Sequence, residues 1–167
     1  MVDYSTLSIV FTGLSISIAA FYYIMTLRNT QKNQQLQLET RQAQMFMGIY
    51  NQLNGADFID AWMAFLEMEW SNYEELKLIQ DDSELSRYLW VIGMFYEGLG
   101  VLVKNNLVPI KLVAETITGM TRMYWEKFIP IVEEGRRELN LPRWYSETEY
   151  LYNELMRYLE EHPELKT

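Results

Sequence analysis

The 167-residue chain contains no cysteine and one histidine, His162. Without cysteine it forms no disulfide bond and no thiolate zinc site, and it has no thiol nucleophile. His162 lies close to the C-terminal end and is not part of a Glu-x-x-His pair, which di-metal helical bundles require. A serine–histidine–acid triad would depend on this same residue. The sequence therefore predicts no catalytic residue, no metal ligand and no cofactor.

Basic residues are also scarce. The chain has 14 lysines and arginines against 23 acidic residues, and its formal net charge is −9. Proteins that bind nucleic acid use lysine and arginine to neutralise phosphate groups. We therefore predict that nucleic acid is not a partner.

The acidic residues are unevenly distributed, because nine of them lie within residues 57–84, where Lys77 is the only basic residue. We interpret this stretch as a solvated acidic face. The alternatives are a cation site and a docking surface for a basic partner protein, although no Asp-x-Asp-x-Asp-Gly calcium loop occurs here. The nine residues are Asp57, Asp60, Glu67, Glu69, Glu74, Glu75, Asp81, Asp82 and Glu84.

Residues 7–27 contain no charged residue, no proline and a single glycine. An α-helix of this length spans about 30 Å, the hydrocarbon thickness of a bilayer. The sequence therefore predicts a transmembrane helix. The main alternative is a cleaved signal peptide, which has a basic start and a shorter apolar core. This chain starts with Asp3 instead, and Ala19-Ala20 is its nearest match to a cleavage site.

The charges on either side of this segment predict its orientation. Asp3 precedes it, whereas Arg28, Lys32 and Arg41 follow it. Because lysine and arginine are enriched on the cytoplasmic side, we expect a single-pass plasma-membrane protein with its N-terminus outside the cell. The predicted parts are an extracellular N-terminus (1–6), a transmembrane helix (7–27) in contact with lipid, a juxtamembrane helical stalk (28–54) and a cytosolic helical bundle (55–167).

Small and hydroxyl side chains recur along one face of the predicted transmembrane helix at spacings of four and three residues. Such residues let helices pack closely in lipid, so the pattern predicts a homo-oligomer, continued as a polar coiled coil through the stalk. The alternative is a narrow pore lined by these hydroxyl groups. The seam consists of Ser8, Thr12, Ser15, Ala19, Tyr22 and Thr26, and a neighbouring packing stripe contains Gly13, Ser17 and Ala20.

Capping and breaking residues divide the rest of the chain into helices, and no stretch alternates with the period of a strand. The fold class predicted is all-α. We expect helix starts at Asp57, in a capping box at residues 71–74, at residues 81–84, at Pro109 and in a second box at residues 146–149. We expect the helix at 83–104 to end at Asn105-Asn106, the next helix to stop or bend near Gly119 and to kink or break at Pro130, and a last helix to end near His162-Pro163.

Glu97 is the one carboxylate in the central part of an otherwise largely apolar helix. An unpaired buried charge is costly, so we expect an ion pair, with Arg122 or Arg87 as its partner. Our interpretation is that the pair fixes the register of the bundle. The alternative is an acid with a perturbed pKa in an enzyme site. We expect Gly98 and Gly100 nearby to allow close helix approach.

Several short motifs in the second half of the chain resemble an uncharacterised bacterial and archaeal family of single-pass membrane proteins. The resemblance implies an N-terminal membrane helix followed by a cytosolic helical domain of unknown function, and it implies no chemistry. The motifs are Phe95-Tyr96-Glu97 with Gly100, Val103-Lys104, Leu107-Val108, Tyr124-Trp125-Glu126 before Pro130, Arg136-Arg137 and Tyr150-Leu151.

Three functional hypotheses follow from these patterns. The first is an oligomeric single-pass membrane protein whose cytosolic helical domain is a scaffold or a sensor without enzymatic activity. The second is a small homo-oligomeric pore or ion channel. The third, which we favour least, is a membrane-anchored enzyme that uses Glu97.

Overall fold

The computed structural model describes residues 3–165, apart from the side chain of Thr6, and in this range the chain is all-α with no strand. Residues 1 and 2 of the predicted N-terminus and residues 166 and 167 of the predicted bundle lie outside the described residues. The helices are α1 (Tyr4–Leu53), α2 (Ala56–Glu67), α3 (Tyr73–Asp81), α4 (Ser83–Lys104), α5 (Ile110–Thr116), α6 (Thr118–Glu138) and α7 (Ser146–Glu161), followed by a 3-10 turn at Pro163–Leu165.

The predicted membrane segment and the predicted stalk form one helix, α1. Among the described residues, α1 is the one helix that is long and apolar enough to cross a membrane. Three hydroxyl groups in its apolar part donate to the carbonyl four residues earlier: Thr12 to Ser8, Ser17 to Gly13 and Thr26 to Tyr22, each at 2.9 Å. These polar side chains are therefore satisfied within their own helix.

The described residues divide into two compact units between Arg41 and Gln42. Residues 42–53 of α1 thus belong to the same unit as the bundle, whereas the sequence placed the division after residue 54. The reason is an apolar face on this last part of α1. Ile49 is buried, and Phe46 and Leu53 pack against the same hydrophobic core.

Local capping interactions explain the starts of α3 and α4. Asn72 caps α3 by accepting from the Glu75 amide at 3.0 Å, and Glu75 in turn accepts from the Ser71 amide at 2.7 Å. The capping box is therefore Asn72 to Glu75, one residue later than predicted. Asp82 caps α4 by accepting from the amides of Glu84 and Leu85. The predicted limits of α4, 83–104, are confirmed.

Two predicted caps are wrong. Asp57 lies in the first turn of α2, whose N-cap residue is Gly55 and has no side-chain hydrogen bond. Ser146 is already the first residue of α7, and the preceding Tyr145 has left-handed backbone angles that keep it out of the helix. The start of α7 is capped instead by a carboxylate from α4, as described below.

The break between α5 and α6 lies at Ile117, two residues before Gly119, near which it was predicted, whereas α6 continues through Pro130. Ile117 is buried, so core packing fixes the chain at this bend. Pro130 is on the exposed side of α6. On the exposed side of a helix, water can hydrate the carbonyl that loses its intrahelical donor at a proline, which makes the residue tolerable.

The core of the bundle is rich in aromatic side chains, and α4 packs against α2, α3 and α7 around it. The rings of Tyr96 in α4 and Tyr124 in α6 stack with centroids 4.5 Å apart. Burial raises the pKa of both phenols. The fully buried aromatic residues of this core are Phe58, Phe65, Tyr73, Tyr96, Tyr124 and Phe128.

Lys127 of α6 ties the end of α2 into this core. Its ammonium group donates to the carbonyls of Phe65, at 3.0 Å, and of Met68. The same group lies 4.6 Å from the ring centroid of Phe65 and 4.8 Å from that of Trp70. Burial lowers the pKa of this lysine. The side chain satisfies carbonyls that α2 leaves open at its C-terminus.

Candidate functional site

A groove of about 650 Å³ runs along α4 and is closed on one side by the connection between α6 and α7. α4 contributes residues at positions 86, 89, 90, 93, 94 and 97, which share one helical face. Residues 141–145 form the opposite wall. The groove combines an apolar lining with one carboxylate, that of Glu97.

The wall formed by residues 141–145 is held in place by Arg136. Its Nε donates to the carbonyl of Trp144 at 3.0 Å, and its Nη2 lies 2.6 Å from Oε2 of Glu149 in α7. The ring of Trp144 covers Gly135, where a Cβ atom would overlap the indole. Gly135 and Arg136 thus hold the indole ring and the backbone of Trp144 in place.

Tyr145 completes this wall with an unusual backbone conformation. Its φ of 57° and ψ of 28° are left-handed, which costs a residue with a Cβ atom roughly 1–2 kcal/mol. The ring packs 4.8 Å from that of Trp144 and 5.0 Å from that of Phe128, measured between centroids. Its hydroxyl oxygen lies 2.7 Å from the position that a Cβ on Gly93 would occupy. The tyrosine therefore fits because α4 has a glycine beneath it, and burial raises its pKa.

Glu97 links α4 to the start of α7. Its Oε1 accepts from the backbone amide of Thr148 at 2.9 Å and from the hydroxyl of the same residue at 2.8 Å. A carboxylate at a helix N-terminus satisfies open amide groups and interacts favourably with the helix dipole. Within residues 3–165, the other oxygen, Oε2, has no hydrogen-bond donor.

The predicted ion pair between Glu97 and Arg122 is wrong, and so is the alternative with Arg87. Arg122 lies 3.2 Å from Glu126 on its own helix, and Arg87 lies 3.9 Å from Asp57 of α2. Each arginine finds a carboxylate close by at the surface. Glu97 finds neutral donors instead, because the uncapped start of α7 lies against it.

A second carboxylate, Glu147, docks the start of α7 onto the end of α4. Lys104 donates to both of its oxygens at 2.9 and 3.1 Å, and Arg143 donates at 2.9 Å. The hydrogen bond from Lys104 is the largest cause of the lowered pKa of Glu147, and Arg143 adds to it. Gly100 lies against the same residue, since a Cβ there would overlap the carbonyl oxygen of Glu147. The expected close approach is confirmed at Gly100, whereas Gly98 faces open space.

The other predicted site residues lie on the first unit. The seam and the packing stripe, from Ser8 to Thr26, are exposed on α1. Thr12, Ser17 and Thr26 use their hydroxyl protons within the helix. Contact of this face with a second helix remains a prediction.

The acidic residues at 57–84 do not gather into one site. Glu75 and Asp82 act as helix caps, and Glu74 pairs with Lys77 at 2.6 Å. Over the described range, residues 3–165, no group of three or more histidines and carboxylates is placed to hold a metal ion. A basic partner for this surface remains a prediction.

Sequence reasoning missed the groove, because α4 and residues 141–145 are distant in the chain. The local pattern pointed elsewhere, because Ser146 is itself a good N-cap residue and predicts a self-capped helix. In the structure α7 starts directly after Tyr145, a poor N-cap residue, and Glu97 provides the cap.

The fold and the groove together define an all-α protein with a long apolar N-terminal helix and a helical bundle. Residues 9–155 match the family described as a domain of unknown function (DUF4760), and the chain belongs to this family. The match begins in the apolar part of α1 and ends in α7, so it includes both compact units. Comparisons with curated proteins and with solved structures found no match.

Proposed function

We propose that this chain is an oligomeric single-pass plasma-membrane protein whose helical bundle is a cytosolic scaffold or sensing domain. The observation that carries the proposal is the apolar part of α1. Its side chains are exposed along the whole of residues 7–27, including Phe11 at 63%, Ile16 at 64% and Phe21 at 66%. An apolar surface of this extent needs a partner or a bilayer to cover it.

The family match supports treating the apolar segment as a part of the working protein. It starts at residue 9, inside the segment, and continues to residue 155 of the bundle. A removable signal peptide would precede the domain it delivers. The basic residues Arg28, Lys32 and Arg41 then favour a cytosolic bundle.

The geometry at Glu97 supports a structural and binding role over a catalytic one. A general acid or base must present its oxygen to a reacting group. Oε1 of Glu97 instead holds the amide and the hydroxyl of Thr148, and among the described residues the groove lining contains no histidine and no second carboxylate that could act together with Oε2. We therefore assign no enzymatic activity to this residue in the proposal.

Cysteine cross-linking tests the membrane and oligomer parts together, since the wild-type chain has no cysteine to interfere. Ala19→Cys lies on the predicted seam, and Phe21→Cys lies on the other side of α1. In native membranes we expect oxidation to give a disulfide-linked dimer at position 19 and much less at position 21. Absence of the protein from the membrane fraction, or equal cross-linking at both positions, would contradict the proposal.

The pore hypothesis is tested on the same preparation. Reconstitution into planar bilayers should give no conductance above that of protein-free bilayers if the oligomer is a scaffold or a sensor. Reproducible single-channel steps that disappear with Ser15→Leu would establish the pore instead.

A further inference from the structure

We propose that the groove along α4 binds a small organic cation with a flat apolar body and an ammonium group that pairs with Glu97. The inference deepens the sensing role proposed above and rests on it, because it names the class of molecule that the bundle would detect. It is carried by the groove lining, by the charges around it and by the fixed wall at residues 141–145.

The lining selects an apolar, flat ligand. Trp90 is 69% exposed, Met94 53% and Leu141 52%, and all three border the groove. Exposed side chains of this size are unfavourable in water unless a partner covers them. The volume of about 650 Å³ lies within the range of about 300–1,000 Å³ that small-molecule sites have.

The charges select a cation. Glu97 receives only the neutral donors of Thr148 through Oε1, so its negative charge has no basic partner within the described part of the chain. The basic side chain in the lining, Arg143, is paired with Glu147. The remaining polar groups of the lining are neutral. A ligand ammonium group can therefore donate to the open Oε2 of Glu97.

The aromatic residues of the groove lining also favour a cationic ligand. An ammonium group is attracted to the faces of tryptophan and tyrosine rings, most strongly to tryptophan. Trp90, Trp144 and Tyr145 all border the groove. A flat cation bound in the groove would thus have aromatic rings and the carboxylate of Glu97 within the same lining.

The wall is held in place by contacts within the protein. Arg136 holds the backbone of Trp144, and Tyr145 is fixed by its contacts with Gly93 and Phe128. A site that needs no rearrangement loses less entropy on binding, which favours small ligands.

The test uses the full-length protein in phosphatidylcholine nanodiscs and isothermal titration calorimetry, with empty nanodiscs as the blank. The three probes are naphthylmethylamine, naphthylmethanol and naphthoic acid, which share the flat body and differ in charge. We expect the amine to bind about tenfold more tightly than the alcohol, equivalent to about 1.4 kcal/mol. We expect the acid to bind most weakly.

Two variants locate the charge selection. Glu97→Gln keeps an oxygen that accepts from Thr148 and should bring the amine to the affinity of the alcohol. Glu160→Gln removes the same charge from an exposed position of α7 and should leave the amine preference unchanged. Trp90→Ala should weaken all three probes.

Several results would overturn the inference. These are no binding of any probe, equal binding of amine and alcohol by the wild type, or an amine preference that survives Glu97→Gln. If the affinity for the amine falls as the protein concentration rises, a second copy of the chain competes for the groove, and the groove is an interface between copies instead. Binding in nanodiscs that hold one chain does not depend on oligomerisation, so failure of the cross-linking test and failure of this test are distinguishable.

Discussion

Gly100 of α4 lies directly beneath the carbonyl oxygen of Glu147, at the start of α7. No residue with a Cβ atom fits at this position without moving one of the two helices. The same stretch of α4 carries Glu97 and Lys104, which bind the first turn of α7 on either side of the glycine. The docking of α7 therefore depends on three residues within about two turns of α4.

The first prediction compares two glycines of α4. Gly100→Ala should lower the free energy of unfolding by about 1–3 kcal/mol, because the new methyl group forces α7 away. Gly98→Ala, at a position where nothing lies within 4 Å, should raise it by up to about 1 kcal/mol, since alanine favours the helix. Urea unfolding followed by circular dichroism measures both. Equal effects of the same sign would show that α7 does not dock at Gly100.

The second prediction concerns the cap that Glu97 gives to α7. Glu97→Ala should lower the free energy of unfolding by about 0.5–2 kcal/mol, the usual effect of removing a helix cap. Glu97→Gln should retain most of that stability, because its amide oxygen can still accept from Thr148. Hydrogen exchange of the Thr148 amide is the more specific measurement. Unchanged protection in Glu97→Ala would mean that the amide has another partner.

The third prediction concerns Lys127. Lys127→Met keeps the apolar stem but removes the donor to the carbonyls of Phe65 and Met68, and we expect a loss of about 1–3 kcal/mol. Lys111→Met is the matched control, because Lys111 has a 64% exposed side chain and an i,i+4 pair with Glu115. Its effect should stay within about 0.5 kcal/mol. Thermal unfolding of the two variants is compared side by side. Similar losses of stability in both variants would contradict the role of Lys127 as donor to the C-terminal carbonyls of α2.

The fourth prediction is a pH dependence from Glu147. Its pKa in the folded protein lies below 4.5, the ordinary value of a glutamate side chain, mainly through the hydrogen bond from Lys104. Its stabilising contribution is therefore complete above pH 4.5 and is lost as the pH falls through the lower, folded-state pKa. Wild type should be more stable than Glu147→Gln at neutral pH, and the difference should shrink in acid.

A double-mutant cycle with Lys104→Met provides the control for this pH dependence. In the Lys104→Met background, Glu147→Gln should cost less at neutral pH, because the main partner is already absent. A difference between wild type and Glu147→Gln that is constant from neutral pH down to acid would contradict the assignment.

The limits of α4 and the all-α class were predictable because their signals are local. Asp82 caps α4, and Asn105 follows its last turn. The exact position of the bend at Ile117 was not predictable in this way, since it depends on burial of that side chain by residues elsewhere in the chain. Sequence patterns placed the bend near Gly119, which is two residues later and lies in the first turn of α6.

The groove was beyond the reach of sequence patterns for a related reason. Glu97 and Thr148 are 51 residues apart, so neither predicts the other through helical periodicity. The sequence did identify Glu97 as a carboxylate that needs a partner. A buried carboxylate is expected to pair with a basic residue, which pointed to arginine as the partner of Glu97. The uncapped N-terminus of another helix was not among the expected partners.

Tyr145 sets a limit for anyone who wants to make this protein more heat-resistant. Its left-handed backbone is one that glycine adopts without strain, but Tyr145→Gly would delete a packed aromatic ring, which costs about 3–5 kcal/mol against the roughly 1–2 kcal/mol of strain relieved. That exchange would remove the ring that rests on Gly93 and would open the groove. Heat resistance and ligand recognition therefore favour the same side chain, and directed evolution under thermal selection alone would be expected to keep the tyrosine despite its strained backbone.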